Sequence, residues 1–217
     1  MLVFDVNETL SDMSPMTGRF LDVGAPGHMA HAWFAGLLRD GFALTVVGSN
    51  AAFSHVGAEA MRVSLDGLPL NRSTEDAVEH IMRGFGVLHV HADVPAGIRA
   101  LADRGIRLVP LSNGSTDVAQ RLLDQAGING HFERLLSVQD AGVWKPAAGA
   151  YAHALAECRA EPMDAMLVAV HPWDIDGASR AGLATAWINR GHGRYPDYFE
   201  APDVEASSLT HLAQLLH

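Results

Sequence analysis

An aspartate near the start of the chain has the setting of a catalytic carboxylate. Asp5 follows the apolar run Leu2–Phe4, and Asn7 and Thr9 come shortly after it. Residues of high strand preference predict a buried strand, and open α/β sheets carry their reactive groups at the carboxyl ends of such strands. The alternative is that Asp5 and Asn7 only shape a turn, because both side chains can hydrogen-bond their own backbone. The groups further along the chain bear on this choice.

Three later points in the chain also carry polar side chains at predicted strand ends. Each has a structural alternative, since Ser-Asn-Gly is a common turn, Lys-Pro a common loop, and His-Pro-Trp-Asp a possible helix cap. In a parallel sheet the carboxyl ends of the strands share one edge, so groups far apart in sequence can converge on one crevice. The groups are Ser112 with Asn113, Lys145 before Pro146, and His171 with Asp174.

The elements that must position these groups alternate between helix and strand from residue 93 onward. Helices are predicted over 94–104, 115–126, 147–159 and 175–181, and strands over 106–111, 135–138, 166–170 and 184–188. Such alternation predicts right-handed crossovers and a parallel sheet that is covered by helices on both faces. The first strand must join this sheet, because a lone strand could not pair its backbone groups.

Residues 12–90 lack that alternation and are predicted to form a helical insertion. The stretch 11–26 is predicted as a linker, 28–40 and 51–65 as helices, and 42–47 as either strand or helix, while Ser73 begins a capping box. We therefore predict a doubly wound, Rossmann-like α/β core over 1–11 and 91–217, with a helical cap subdomain over 12–90. A cap on flexible linkers can close over the strand ends and exclude water.

Composition and charge exclude some classes of binding partner for this protein. The 217 residues are 48% hydrophobic and 18% charged, with a net charge of -10, which argues against nucleic acid or an anionic membrane as the main partner. No run approaches the ~18 apolar residues of a membrane span. Cys158 is the single cysteine, so no internal disulfide forms and a reducing cytoplasm is predicted. The twelve histidines form no metal-ligand pattern, and no metal site is predicted.

The order of these groups resembles that of the haloacid dehalogenase superfamily, and within it the (S)-2-haloacid dehalogenase (type II) branch. The resemblance spans nearly the whole core and is weak in the cap. It implies that no cofactor is needed, that the substrate is a small halogenated carboxylate, and that the protein can form a homodimer. The matching segments are Asp5–Thr9, Leu111–Ser115, Leu136–Val138, Lys145–Pro146, Tyr151, Trp173–Asp174 and Trp187–Arg190.

Two positions depart from the phosphatases of that superfamily. Those enzymes carry a second aspartate two residues after the nucleophile, which protonates the leaving alkoxide, and this position is Asn7 here. They also carry an acidic Mg²⁺ ligand four or five residues before the late aspartate, where this chain has Val170 and Ala169. Mg²⁺ needs oxygen ligands. Halide leaves as an anion without a proton, so its displacement requires neither feature.

The resemblance implies covalent catalysis by Asp5. Its carboxylate attacks the halogen-bearing carbon, expels halide and forms an ester, which water hydrolyses to the 2-hydroxy acid. Lys145 keeps Asp5 ionised, and Thr9 with backbone N–H groups holds the second carboxylate oxygen. Asp174, with Tyr151 nearby, orients or deprotonates the water.

The same resemblance implies the residues that bind the substrate. Ser112 and Asn113 are expected to hydrogen-bond its carboxylate or the departing halide, and Val6, Asn7 and Trp173 are expected to line the site. Trp173 is expected to supply packing rather than chemistry.

Two positions also depart from the dehalogenase branch. Its characterised members have an arginine after a cap tryptophan, whereas the best match here is Trp33-Phe34, and Arg39 lies about one and a half helical turns further on. His171 stands where the branch has an asparagine. It is predicted to act as a hydrogen-bond donor or as a base that positions water.

Two other functions stay open at this point. One is a superfamily phosphatase that acts on a small phosphate ester. The other is a binding module for small carboxylates that has lost turnover, an alternative suggested by the missing cap arginine.

Overall fold

The computed structural model of the protein describes residues 1–216. The chain divides into two compact units, one made of Met1–Ser11 with the chain from His89 onward, and one of Asp12–Leu88. We call the first the core unit and the second the helical unit. The sequence placed the return to the core at residue 91, two residues later than the structure does.

The chain begins with strand β1 and then enters the helical unit. An unpredicted helix lies in the stretch 11–26, whose two prolines and two glycines indicated a linker; Met16 and Phe20, one turn apart, are both buried in it. The ambiguous stretch 42–47 is helical up to Val46. Ser73 caps the last helix of the unit by accepting a hydrogen bond from the Asp76 N–H, as its capping box predicted. The elements are β1 (Leu2–Phe4), α1 (Met16–Asp22), α2 (Met29–Val46), α3 (Phe53–Leu65) and α4 (Thr74–Phe85).

An aromatic cluster forms the interior of the helical unit. Trp33 is 1% exposed and packs against Phe20, Phe34 and Phe85, with ring centroids 5.9 to 6.3 Å apart. Its indole N–H donates to the Gly57 carbonyl at 2.9 Å, so the polar atom of the buried ring is satisfied. Trp33 therefore holds α2 against α3.

The core unit contains the predicted alternation of helices and strands. The last strand and the last helix, β6 and α10, were not predicted. They have three and seven residues, which is too short for a recognisable pattern. The elements are α5 (Val94–Ala102), β2 (Leu108–Ser112), α6 (Thr116–Gln125), β3 (Leu136–Ser137), α7 (Val138–Ala141), α8 (Ala148–Cys158), β4 (Met166–Ala169), α9 (Pro172–Arg180), β5 (Ala184–Ile188), β6 (Val204–Ala206) and α10 (Leu209–Leu215).

These strands form one parallel sheet in the order β3-β2-β1-β4-β5-β6. β1 lies inside the sheet, with Val3 opposite Val109 on β2 and opposite Leu167 on β4, which confirms that the first strand joins the later ones. The strand order reverses its direction at β1. A doubly wound sheet opens a crevice at the carboxyl ends of the strands at such a reversal, so the fold places reactive groups after β1, β2 and β4.

Burial of β1 explains the apolar run that begins the chain. Leu2 and Phe4 lie in a hydrophobic cluster with residues of α5, α6 and α10, and Phe4 packs edge-on against Phe132 at 6.0 Å. No helix within residues 1–216 combines the length and the apolarity needed to cross a bilayer.

Candidate active site

The loop after β1 returns Thr9 to the carboxylate of Asp5. The carbonyl of Val6 accepts the N–H of Leu10, which closes a tight turn directly after the strand. The Thr9 hydroxyl then donates to Oδ2 of Asp5 at 2.6 Å. Both side chains are buried, with Asp5 3% exposed and Thr9 fully enclosed.

Lys145 lies between two carboxylates. Its Nζ donates to Oδ1 of Asp5 at 2.9 Å and to Oδ2 of Asp174 at 2.7 Å. Lys145 and Asp174 are both 0% exposed, a degree of burial that charged groups tolerate when they are paired. Asn113 fixes the lysine backbone, because its Oδ1 accepts the Lys145 N–H at 3.0 Å and its Nδ2 donates to the Lys145 carbonyl at 3.4 Å.

The surroundings of Asp5 and Asp174 shift the pKa values of these two residues in opposite directions. Burial favours the neutral form of Asp5, but the Lys145 ammonium, His171 and the hydrogen bonds from Thr9 and Lys145 outweigh it, so the Asp5 pKa is below its usual value. Burial raises the pKa of Asp174, the negative charge of Asp5 adds to that effect, and the Lys145 ammonium only partly opposes it. Of the two carboxyl groups, Asp5 is thus the more readily ionised and Asp174 the more readily protonated.

Tyr151 supports Asp174 from α8. Its hydroxyl donates to Oδ1 of Asp174 at 2.5 Å, and burial together with the Asp174 charge raises the Tyr151 pKa well above its ordinary value. The phenol therefore keeps its proton and acts as a donor. Gly177 permits this contact, since a Cβ there would lie 2.8 Å from the Tyr151 oxygen and 2.5 Å from Pro146 Cβ.

His171, immediately before α9, lies beside the Asp5 carboxylate. Its Nε2 lies 3.2 Å from the Asn7 carbonyl oxygen and 3.7 Å from Oδ2 of Asp5. The imidazole stacks on Trp173, with ring centroids 4.9 Å apart and planes 20° from parallel. Trp173 thus packs against the histidine and limits its tilt.

Three predicted substrate contacts already have structural roles. The Val6 side chain lies in the hydrophobic cluster, so its backbone is the part left to face a ligand. Ser112 Oγ accepts the Gly114 N–H at 2.9 Å and shapes the turn after β2. Both ends of the Asn113 amide bond the Lys145 backbone. Contact of these residues and of Asn7 with substrate stays a prediction.

Two residues near the site were given no role from the sequence. Arg190 forms an ion pair with Asp93 at 2.6 Å and donates to the Thr9 carbonyl at 2.9 Å, so it holds the loop that carries Thr9. The Trp-Ile-Asn-Arg motif pointed to it. Glu8 lies 3.6 Å from His171 Nε2, and no sequence pattern singled it out.

The end of β4 carries no acidic side chain beside Asp5. The N–H of Val170 donates to Thr9 Oγ1 at 3.1 Å, and its carbonyl accepts the Trp187 indole N–H at 2.9 Å. Within residues 1–216 no group of three or more His, Cys, Asp or Glu side chains is arranged to hold a metal ion. The backbone of Val170 therefore supports Thr9 through its N–H and Trp187 through its carbonyl.

A groove of about 630 Å³ lies in the helical unit, between α2 and α3. All its lining residues fall between Gly36 and Ser64, so it contains none of the predicted site residues. Arg39 lines it, is 76% exposed, and pairs with its neighbour Asp40 at 2.8 Å.

Comparison with known proteins identifies the family. The family described as haloacid dehalogenase-like hydrolase matches residues 1–182. The (S)-2-haloacid dehalogenase of Pseudomonas sp. strain YL is 28% identical over 99% of this chain and 93% of its own length. Haloacetate dehalogenase H-2 of Moraxella sp. strain B is 28% identical over 79% of this chain and 76% of its own.

Solved structures share the whole fold. A dehalogenase described as an intermediate complex superposes with a TM-score of 0.92 at 25% identity, covering 99% of this chain and 96% of its own. L-2-haloacid dehalogenase from Xanthobacter autotrophicus, with chloropropionic acid covalently bound, has a TM-score of 0.89 at 23% identity, covering 99% and 97%, and it supports the fold alone. With its central β1, its buried Asp5–Lys145–Asp174 line and a match over most of its length, the chain belongs to the haloacid dehalogenase-like hydrolases and is similar to their (S)-2-haloacid dehalogenase branch.

Proposed function

We propose that the protein hydrolyses the carbon–halogen bond of short 2-haloacids and releases 2-hydroxy acids. One observation carries this proposal: Lys145 bridges Asp5 and Asp174, with the pKa of Asp5 lowered and that of Asp174 raised. The named dehalogenase relatives support it.

The first step is displacement at carbon. An oxygen of the ionised Asp5 carboxylate attacks the halogen-bearing carbon, the new C–O bond forms, and halide departs with the electron pair of the broken bond. The Lys145 ammonium, 2.9 Å from Oδ1, favours the ionised nucleophile. Backside attack inverts the carbon if it is chiral.

The second step is hydrolysis of the ester on Asp5. Water adds to the ester carbonyl carbon, the 2-hydroxy acid leaves, one proton is released, and the Asp5 carboxylate is restored. Its raised pKa suits Asp174 to accept that proton. Asp174 also accepts a hydrogen bond from Lys145 at 2.7 Å. Its role as the proton acceptor must therefore be separated from its role in positioning Lys145.

The variant Asp174→Asn separates those roles. If Asp174 takes the proton, halide is released once per enzyme and the ester on Asp5 accumulates, which intact mass spectrometry detects. If Asp174 only positions Lys145, the first halide is also released slowly and no ester builds up.

A halide-release panel tests the proposed function itself. We expect release from one or more of chloroacetate, bromoacetate, fluoroacetate and 2-chloropropionate in the presence of a metal chelator. No release from any of them contradicts the proposal. Phosphate release that depends on Mg²⁺ would favour the phosphatase, although Asn7 offers no proton to a leaving alkoxide.

The binding-module alternative predicts an unmodified protein. When Asp174→Asn is mixed with bromoacetate, a binder gains no mass on Asp5. The parent form of a binder also releases no halide, which distinguishes it from an enzyme whose Asp174 only positions Lys145. We also propose that the enzyme works in the cytoplasm, where its single cysteine, the buried Cys158, stays reduced. A homodimer, and the absence of nucleic-acid and membrane partners, stay predictions from the sequence.

A further inference from the structure

We propose that Glu8 is a positioning residue, which keeps the Nε2 hydrogen of His171 within reach of Oδ2 of Asp5 while the ester is hydrolysed. The inference rests on the proposed function. Glu8 had no predicted role, and His171 acts here as a hydrogen-bond donor, which is one of the two roles predicted for it.

The backbone of Glu8 is unusual. Its φ is +63°, in the left-handed region that glycine adopts freely and other L residues avoid. The conformation is held from both sides, because the Glu8 N–H donates to Ser11 Oγ at 3.2 Å and His91 Nε2 lies 2.9 Å from the Glu8 carbonyl oxygen. Glycine would meet this backbone demand without strain, so the side chain is the feature to explain.

That side chain reaches the histidine that faces the nucleophile. Oε2 of Glu8 lies 3.6 Å from His171 Nε2, and the side chains are 30% and 11% exposed. The same nitrogen lies 3.2 Å from the Asn7 carbonyl and 3.7 Å from Oδ2 of Asp5. These three neighbouring oxygens are acceptors, so a bare Nε2 lone pair would be repelled by all of them. The hydrogen therefore belongs on Nε2, and this nitrogen donates rather than accepts.

The donor faces the oxygen on which negative charge develops. Lys145 keeps Asp174 as a partner when Oδ1 is alkylated, so Oδ1 can become the ester oxygen while Oδ2 remains the carbonyl oxygen. Water adding to that carbonyl carbon moves an electron pair onto Oδ2, where Thr9 already donates at 2.6 Å. The His171 N–H, 3.7 Å from Oδ2 and bonded to the Asn7 carbonyl at 3.2 Å in the resting site, is the next donor in reach of that charge. Donors placed in advance near a developing oxyanion lower the barrier.

Kinetics of three variants test this assignment. Glu8→Gln keeps the size but removes the carboxylate, Glu8→Gly suits the backbone, and Arg159→Gly is the matched control because Arg159 is an exposed residue with φ +49° after α8. We expect kcat to fall on the order of 10-fold in both Glu8 variants, with ester accumulating on Asp5 and the first halide still released. Glu8→Asp should recover part of the rate. Arg159→Gly should leave kcat unchanged.

Melting temperatures and the NMR signal of His171 provide two further tests of the role of Glu8. Both glycine variants should melt no lower than the parent, which separates a lost catalytic effect from a lost fold. Nitrogen-15 NMR of His171, assigned with His171→Gln, should show the proton on Nε2 in the parent. The Nε2 signal should shift in Glu8→Gly, where one of its three neighbouring oxygens is gone. This measurement needs no turnover, so it succeeds or fails independently of dehalogenation. Unchanged kcat in both Glu8 variants, or a proton on Nδ1 in the parent, overturns the proposal.

Discussion

The core unit encloses a group of charged residues, whereas charged pairs of the helical unit lie at its surface. In the core unit Asp5, Lys145 and Asp174 are withdrawn from solvent and bonded to one another. In the helical unit the interior is aromatic, and charged pairs such as Arg62 with Glu75 lie at the surface. Burying a charge network is expensive and seldom the best route to stability, so its presence in one unit marks where the chemistry lies.

The largest effect we expect comes from Asp5→Asn in the core unit. The change is nearly isosteric, so the fold should remain while the nucleophile is lost, and kcat should fall by about 10⁴-fold or more. Halide release measures the rate, and circular dichroism with a melting curve measures the fold. Retained turnover would remove Asp5 as the nucleophile.

The second prediction concerns the cation between the two carboxylates. Lys145→Met preserves volume but leaves two enclosed carboxylates without their shared cation. The change should lower the free energy of unfolding by about 3–5 kcal/mol and Tm by roughly 10 °C, and abolish turnover. Arg134→Ala is the control, because it breaks an exposed pair with Glu157 and should leave activity unchanged. Equal losses in the two variants would contradict the distinction between buried and surface charge.

The third prediction uses the opposite pKa shifts of Asp5 and Asp174. Both steps need a deprotonated carboxylate, so each fails as pH falls through the pKa of its own group. Burial is the largest cause of the raised Asp174 pKa, and it remains when esterification removes the negative charge of Asp5, whereas the Asp5 pKa is lowered in the free enzyme. Ester hydrolysis should therefore slow first on acidification while alkylation continues. Quenching the parent enzyme at falling pH should reveal a window in which the esterified protein builds up. Simultaneous loss of both steps would contradict the assignment.

Most of the site residues and the topology of the core unit could be predicted from the sequence. Asp5, Thr9, Lys145, Tyr151 and Asp174 were singled out because strand ends and a specific motif order identified them, and the parallel topology brings them together. Topology follows from alternating hydrophobic patterns, which are visible in a single chain.

The features that the sequence did not predict depend on tertiary contacts and on backbone conformation. Helix α1 buries two residues within a stretch whose prolines and glycines indicated a linker, so tertiary packing overrode local composition. The Asn113 amide binds the Lys145 backbone, a contact set by how two loops meet. The left-handed backbone of Glu8 has no signature in residue type, since glycine would have been expected there.

The smallest effect we expect is in the helical unit. Arg39 is 76% exposed and pairs with the adjacent Asp40, so Arg39→Ala should change neither kcat nor KM by more than about twofold. A steady-state comparison with 2-chloropropionate and bromoacetate checks it. A large rise in KM would instead make Arg39 a substitute for the arginine that is missing after Trp33.

One measurement tests the covalent route most directly. A single turnover with enzyme in excess over a 2-haloacid, run in ¹⁸O-labelled water, reports which carbon the water attacks. If water adds to the ester carbonyl, the hydroxyl oxygen of the product comes from Asp5, and the label enters the Asp5 carboxylate, where peptide mass spectrometry finds it. Label in the product of the first turnover, with Asp5 unlabelled, would mean that water displaces halide directly and that Asp5 is not the nucleophile.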